Sequence, residues 1–170
     1  ATGLGISFRV RTVEEQAGFM EKLSAIGLET LPCIERQGEA MLVPYLENGV
    51  TLDKFIQNPG YEKSVLGGVL SHMADAHAAG VTFGDRWTGN TMIMPDGSFV
   101  EFDFDLELTG KHMDIAAFEL AQTLYWIMFL SGSHRRDTVD FLSDFYRDNP
   151  ELLGAYDVST VAGLIDGHVD

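Results

Sequence analysis

The fold of this 170-residue chain depends on residues 83–105, which read FGDRWTGN followed by TMIMPDGSFVEFDFD. Two short apolar runs flank the turn residues 95–97 (PDG), and proline and glycine in such a turn favour a β-hairpin. A hairpin brings its two ends together, so Asn90, which enters the first strand, should lie beside Asp103, which follows the second. Asp85 precedes Asn90 on the loop that feeds the same edge. The sequence therefore predicts that two carboxylates and a carboxamide converge at one site.

Oxygen ligands of this type suit Mg²⁺, which usually takes one or two carboxylates together with phosphate oxygens. The motif that joins Asp85 to Asn90 is D-x4-N, and the Asp-Phe pair that begins at Asp103 follows at the end of the hairpin. This spacing resembles the catalytic loop and the metal loop of the protein-kinase-like phosphotransferases. With glycine before both Asp85 and Asn90, the chain is most similar to the small atypical branches, namely the aminoglycoside and choline phosphotransferases and the RIO-type kinases.

The resemblance implies that Asp85 is the catalytic base that orients an acceptor hydroxyl, and that Asn90 and Asp103 hold Mg²⁺ on the phosphates of ATP. Asp105 stands where the family has glycine, and it adds a third acid that could join the metal site. Phosphoryl transfer needs positioning and charge neutralisation more than covalent help, so one base and two metal ligands suffice if they are rigidly placed. The expected function is ATP- and Mg²⁺-dependent phosphoryl transfer to a hydroxyl of a small molecule or a protein.

Two other functions stay open on the sequence alone. The chain could be a catalytically inactive kinase-like protein that binds a nucleotide or a partner without turnover. Residues 102–106 also match the hydrophobic-D-x-D core of one phosphatase class, in which Asp103 would be the nucleophile and Asp105 the acid/base. That class expects further lysine and paired aspartates downstream, and Lys111 is the only lysine beyond the motif.

Composition restricts the partners and the compartment. The length fits one domain or two small lobes that share a cleft. The formal net charge of −15 argues against nucleic acid or an anionic membrane as a partner. A single cysteine, Cys33, excludes an internal disulfide and suits the cytoplasm. The most apolar stretch, residues 115–130, is interrupted by Glu119 and Gln122 and is short for a membrane span.

The N-terminal part predicts a small, incomplete β-rich lobe over residues 1–46. Residues 6–11 alternate apolar and polar side chains, which is typical of a half-buried strand. Thr12 and Glu15 form the pattern of a capping box at the start of a helix that should reach about Ile26. A second hairpin, turning at Gln37-Gly38, should then lead to a hinge near residue 46.

The resemblance also implies a nucleotide site, with one departure from the family. The carbonyl of Pro44 and the N–H of Leu46 would bond the adenine, and Met92 would form the floor of its pocket. No lysine precedes Lys22, so the family's strand lysine is missing. Arg9 or Arg11 could substitute as the cation that grips the phosphates, although both are equally well explained as solvated residues on a strand face. The N-terminal lobe is therefore expected to be reduced or truncated.

Residues 47–170 predict a mainly helical second lobe, so the fold class is α+β with a kinase-like two-lobe arrangement. Apolar residues at helical spacing predict a long helix that ends at Gly80 and delivers the chain into residues 83–90. A second helix from about Ile115 is apolar on all sides and should be buried. The resemblance makes Asp114 a structural aspartate that braces the backbone of the catalytic loop, and helix capping is the alternative role.

Overall fold

The computed structural model describes residues 4–58 and 60–167, and it has an α+β fold in which α-helices and short 3₁₀ helices together make up 54% of the described residues. The strands are β1 (Ser7–Val10), β2 (Glu35–Gln37), β3 (Ala40–Leu42), β4 (Val50–Thr51), β5 (Thr91–Ile93), β6 (Phe99–Glu101) and β7 (Leu106–Thr109). The helices are α1 (Val13–Ala25), α2 (Leu52–Gln57), α3 (Ser64–Ala78), α4 (His112–Leu130), α5 (Arg135–Asp148) and α6 (Val158–Asp166). Because every strand is short, the helices supply most of the buried core.

Helix α1 begins with the predicted capping box. The Thr12 hydroxyl accepts a hydrogen bond from the Glu15 amide (3.2 Å), and the Glu15 carboxylate accepts one from the Thr12 amide (2.8 Å). Two of the donors that a helix start leaves unpaired are thereby satisfied. The helix buries Met20 and Leu23 and is followed by Gly27 with a φ of 86°, as expected for a helix that ends at a glycine.

The predicted central hairpin is confirmed. Strands β5 and β6 pair antiparallel, with Thr91 opposite Glu101 and Ile93 opposite Phe99, and the turn glycine Gly97 has a φ of 86°. Strand β4 adds a third strand beside β5. The ends of the hairpin meet as expected, because the amide of the residue before Asp103 donates to the carbonyl of Asn90 at 3.1 Å.

The core lies among the helices and beneath the hairpin. Helices α3 and α4 supply its largest aliphatic side chains, including Leu66, Leu70, Leu120 and Ile127. By length and composition alone α4 could cross a membrane, since its 18-residue window has a mean hydropathy of 1.2. In this fold it is a core helix, because α6 packs along it and its polar residues bind the loop at residues 83–90.

Strand β1 differs from its prediction. The alternating pattern predicted a half-buried strand, but Phe8 is 73% exposed and Val10 is 69% exposed. Its partner is β7, with Phe8 opposite Leu108 and Val10 opposite Leu106. The pairing is favoured because the Arg11 amide also donates to the Asp105 carbonyl at the end of the ribbon. Hydrogen bonds between strands thus cross the lobe boundary predicted at residue 46.

The hairpin predicted around Gln37-Gly38 is present but short, as β2 and β3 pair over three residues each and Gly38 has a φ of 60°. It forms a two-stranded sheet of its own, separate from both β1–β7 and the β4–β5–β6 sheet. The first 46 residues therefore supply strands to two different sheets.

Candidate active site

The loop at residues 83–90, called here the Asp85 loop, follows α3 and is fixed first by its apolar anchor and its glycine. Phe83 is 1% exposed and lies in the core. Gly84 has a φ of 106°, a conformation that side-chain-bearing residues rarely adopt. A Cβ added to Gly84 would also overlap the carbonyl oxygen of Leu106. Only glycine allows the backbone to turn this close to β7 and still present Asp85.

Replacing Gly84 by alanine is therefore expected to lower the free energy of unfolding by about 2–4 kcal/mol, from backbone strain plus overlap with a backbone oxygen. Gly80→Ala is the matched control, because Gly80 also has a positive φ (79°) but an added Cβ meets nothing within 4 Å. That control should lose only about 1 kcal/mol. Urea unfolding measures both, and equal losses would show that contact with Leu106 does not constrain the loop.

Glu119 of α4 braces the Asp85 loop from below. Its carboxylate accepts hydrogen bonds from the amide of Phe83 (3.0 Å) and the amide of Gly84 (2.7 Å). The same carboxylate accepts from His77 Nε2 (2.8 Å), and the side chains of Glu119 and His77 are fully buried. Burial raises the pKa of Tyr156, so its hydroxyl stays protonated and can donate to His77 Nδ1 at 2.7 Å. The buried carboxylate thus has its hydrogen-bonding capacity met, as its burial requires.

The bracing role that the sequence assigned to Asp114 is thus performed by another residue of the same helix. Asp114 lies in the first turn of α4 and is half-buried, whereas the amides of Phe83 and Gly84 donate their hydrogen bonds to Glu119. Sequence reasoning treated Glu119 only as an interruption in an apolar stretch. The signal was available, since a glutamate inside an otherwise apolar helix must find partners when it is buried.

The Asp85 carboxylate is held in place by one neighbour on α4. Its Oδ1 atom accepts a hydrogen bond from Gln122 Nε2 at 2.6 Å, and Gln122 Oε1 accepts from the Arg86 amide at 3.0 Å. The Asn90 side chain donates from Nδ2 to the Asp85 carbonyl at 3.2 Å. The Asp85 and Asn90 side chains are thereby fixed to one loop, with Asp85 Oδ2 and Asn90 Oδ1 left as acceptors.

Asp103 has two features that set it apart from an ordinary surface aspartate. Its φ is 60°, a left-handed conformation that costs free energy outside glycine and that often marks functional sites. Although the residue as a whole is exposed, partial burial of its carboxyl raises its pKa, and the negative charges of Asp105 and Asp85 raise it further. A hydrogen bond with Asp105 acts in the same direction. The carboxylates of Asp85 and Asp105 therefore both lie close enough to act on Asp103.

The donor set at this point fits Mg²⁺ once phosphates are present. In residues 4–58 and 60–167, no group of three or more histidine, cysteine, aspartate or glutamate side chains has the arrangement of a metal site. Asn90 Oδ1 and the Asp103 carboxylate instead offer an amide oxygen and one charged ligand. Mg²⁺ is commonly held by so few protein ligands, because substrate phosphates and water complete its octahedron.

Both arginines predicted to replace the family's lysine already have partners within the chain. Arg11 is 8% exposed, and its Nη1 donates to the carbonyls of Phe104 and Leu106 at 2.9 Å each. Burial lowers its pKa. Arg9 forms ion pairs with Glu15 (2.9 Å) and Glu107, and its hydrogen bond is the main reason that the pKa of Glu15 falls to about 2.

Arg86 anchors the Asp85 loop to the hairpin. Its Nη1 donates to Glu101 Oε2 at 2.6 Å, and both side chains are almost fully buried. Glu101 also accepts from the Thr91 hydroxyl at 2.9 Å, and the Arg86 guanidinium lies 5.0 Å from the centroid of the Phe83 ring. This ion pair fixes the distance between the loop that carries Asp85 and the strand that leads to Asp103.

The residues predicted to bind adenine lie beside the hairpin. Pro44 and Leu46 are half-buried. Strand β4 follows shortly after them in the chain and pairs with β5, so that Thr51 lies opposite Met92. Leu46 lines a cleft of about 300 Å³ that also includes Val100, the cross-strand neighbour of Met92. The structure thus places Leu46 and Met92 around one hairpin.

The arginines lie elsewhere. Arg9 and Arg11 line a different cleft, of about 550 Å³, together with Lys22 and residues 80–82. This cleft includes none of the predicted adenine-binding residues Pro44, Leu46 and Met92.

The sequence matches no protein-family model, and no curated protein is similar to it.

Proposed function

We propose that this chain is an ATP- and Mg²⁺-dependent phosphotransferase of the protein-kinase-like type, acting on a hydroxyl group. The observation that carries the proposal is the meeting of Asp85, Asn90 and Asp103 at the mouth of one hairpin. In this proposal residues 1–46 correspond to the N-terminal lobe and residues 47–170 to a helical lobe. ATP, the low cysteine content and the acidic charge favour a cytoplasmic protein that binds neither nucleic acid nor membrane.

The proposed chemistry uses the residues as follows. Asp85 accepts a hydrogen bond from the acceptor hydroxyl through Oδ2, since Gln122 occupies Oδ1. The hydroxyl oxygen forms a bond to the γ-phosphorus, its proton passes to Asp85, and the bond to the β-phosphate oxygen breaks to release ADP. Asn90 Oδ1 and the Asp103 carboxylate would hold Mg²⁺, which neutralises phosphate charge. Glu119 and Arg86 keep the loop rigid, so the reacting groups are positioned before substrate arrives.

A second function, nucleotide binding without turnover, is favoured by the contacts that Arg9 and Arg11 make. Because Arg9 and Arg11 are paired with glutamates and backbone carbonyls, neither is placed to neutralise the transferred phosphate. A kinase-like protein that binds nucleotide without turnover would tolerate that arrangement. The two functions predict the same nucleotide affinity and differ in turnover, which should depend on Asp85 in the enzyme alone.

Nucleotide binding is tested by thermal denaturation with ATP and Mg²⁺. At about 100 times the dissociation constant, the ligand should stabilise the fold by roughly 2.7 kcal/mol. The magnesium-dependent part should disappear in Asp103→Asn, because the charged ligand is removed. Asp140→Asn is the matched control, since Asp140 is an exposed α5 aspartate remote from residues 83–105 in sequence. If ATP and Mg²⁺ do not change the thermal stability of the chain, both nucleotide functions are contradicted.

A further inference from the structure

The β1–β7 ribbon has two chemically different faces, and one of them adjoins Asp85. Cross-strand partners share a face, so Phe8 lies with Leu108 and Val10 lies with Leu106. The opposite face carries the polar pairs formed by Arg9 with Glu107 and by Ser7 with Thr109. The exposed phenylalanine and valine of β1 are therefore part of one continuous apolar surface.

A pocket of about 240 Å³ lies between this apolar face and helix α4. Its apolar walls are Phe8, Leu106, Leu108 and Phe118. Asp85 and Gln122 are the polar side chains among its lining residues, and they are hydrogen-bonded to each other. The proposed catalytic carboxylate thus opens into a mostly apolar space rather than into a polar groove.

The lining of this pocket holds no positive charge. Arg9 is on the other face of the ribbon, where it pairs with Glu107. Arg86 is adjacent to Asp85 in sequence, but its side chain is buried against Glu101. An anionic acceptor would find the Asp85 carboxylate and no counter-charge among the lining residues, which costs binding free energy.

We propose that this pocket is the acceptor site and that it takes an alcohol with a flat apolar body and no negative charge. The ring or hydrocarbon part would pack between Phe8 and Phe118, and its hydroxyl would reach Asp85 Oδ2. The pocket contributes apolar contact on several sides and one polar group that fixes orientation, as small-molecule sites commonly do. Phosphoryl transfer to this alcohol rests on the proposed function, whereas binding of the alcohol does not.

The test compares three hydroxyl compounds in the absence of nucleotide: 2-phenylethanol, the anion glycerate and the cation choline. Binding is followed by ligand-observed NMR and by the fluorescence of Trp87 and Trp126, whose rings pack against each other near the Asp85 loop. We expect saturable binding of 2-phenylethanol, at least tenfold weaker binding of glycerate, which the Asp85 carboxylate repels, and weaker binding of choline, which has no flat apolar body to fill the pocket. Tighter binding of glycerate or choline would overturn the proposal.

A pair of β1 variants localises the binding. Phe8→Ala should weaken 2-phenylethanol binding about 5-fold, since one aromatic wall is removed. Val10→Ala is the matched control, because Val10 is equally exposed and shares the apolar face but does not line the pocket. Equal affinities in both variants and the parent chain would overturn the assignment of the pocket.

Transfer assays with ATP and Mg²⁺ then separate this inference from the proposed function. If 2-phenylethanol binds in a Phe8-dependent way but no phosphoester forms from any acceptor, the pocket assignment stands and the phosphotransferase function fails. If glycerate or choline is phosphorylated and 2-phenylethanol is not, the phosphotransferase function stands and the acceptor class proposed here is wrong.

Discussion

Asp85→Asn is expected to reduce phosphoryl transfer by about 10²- to 10⁴-fold, the usual contribution of a positioned general base. Asparagine has nearly the same size and keeps an oxygen that can accept from Gln122, so the loop should retain its conformation. It cannot take the proton of the acceptor hydroxyl. Turnover should fall while the affinity for ATP and Mg²⁺ stays the same, which a coupled ADP assay and a binding titration measure together.

The control for this substitution is Asp140→Asn, which removes one carboxylate from an exposed face of α5. It should leave both turnover and affinity within about a factor of two, as is common for surface substitutions. If the Asp85→Asn variant turned over substrate as fast as the parent chain, Asp85 would have no role in the chemical step. A parent chain that binds nucleotide but shows no turnover would favour the non-catalytic alternative.

Glu119→Ala is expected to have the largest effect on stability, with a loss of about 3–5 kcal/mol in the free energy of unfolding. The substitution leaves the amides of Phe83 and Gly84 and the ring of His77 without their buried acceptor. Each buried donor left without a partner is destabilising, and the removed side chain also leaves a cavity. Urea denaturation monitored by circular dichroism measures the loss.

Asp114→Ala is the matched comparison, because it removes a carboxylate from the same helix α4. Asp114 is half-buried in the first turn, where a negative charge gains at most about 1 kcal/mol from the helix dipole. The structure therefore predicts a much smaller loss than for Glu119→Ala. If Asp114→Ala lowered the free energy of unfolding more than Glu119→Ala, then Asp114 would brace the loop, as the family resemblance implied.

The parts of the fold that sequence reasoning predicted are those with local causes. The central hairpin follows from a turn that contains Pro95 and Gly97, and the start of α1 follows from Thr12 and Glu15. In each case residues a few positions apart in the sequence determine the geometry. The proximity of Asn90 and Asp103 also follows, because a hairpin must bring its own ends together.

The parts that the sequence did not predict depend on contacts between distant residues. Glu119 reaches the Asp85 loop from a helix 35 residues further along the chain. Strand β1 looked half-buried from its alternation, but alternation does not specify which strand it pairs with, and its apolar face remains open beside β7. The sequence also did not predict the partners of Arg9 and Arg11, because these include Glu107 and the carbonyl of Leu106, which are distant in the chain.

The most direct test of the proposed metal site is to locate a bound divalent cation by Mn²⁺ relaxation in NMR spectra recorded with ATP. We expect Mn²⁺ to broaden the amide signals of Asp85, Asn90 and Asp103 first, Mg²⁺ to reverse this broadening, and Asp103→Asn to abolish it. Broadening spread over the acidic surface, with these three amides unaffected, would contradict the proposed site.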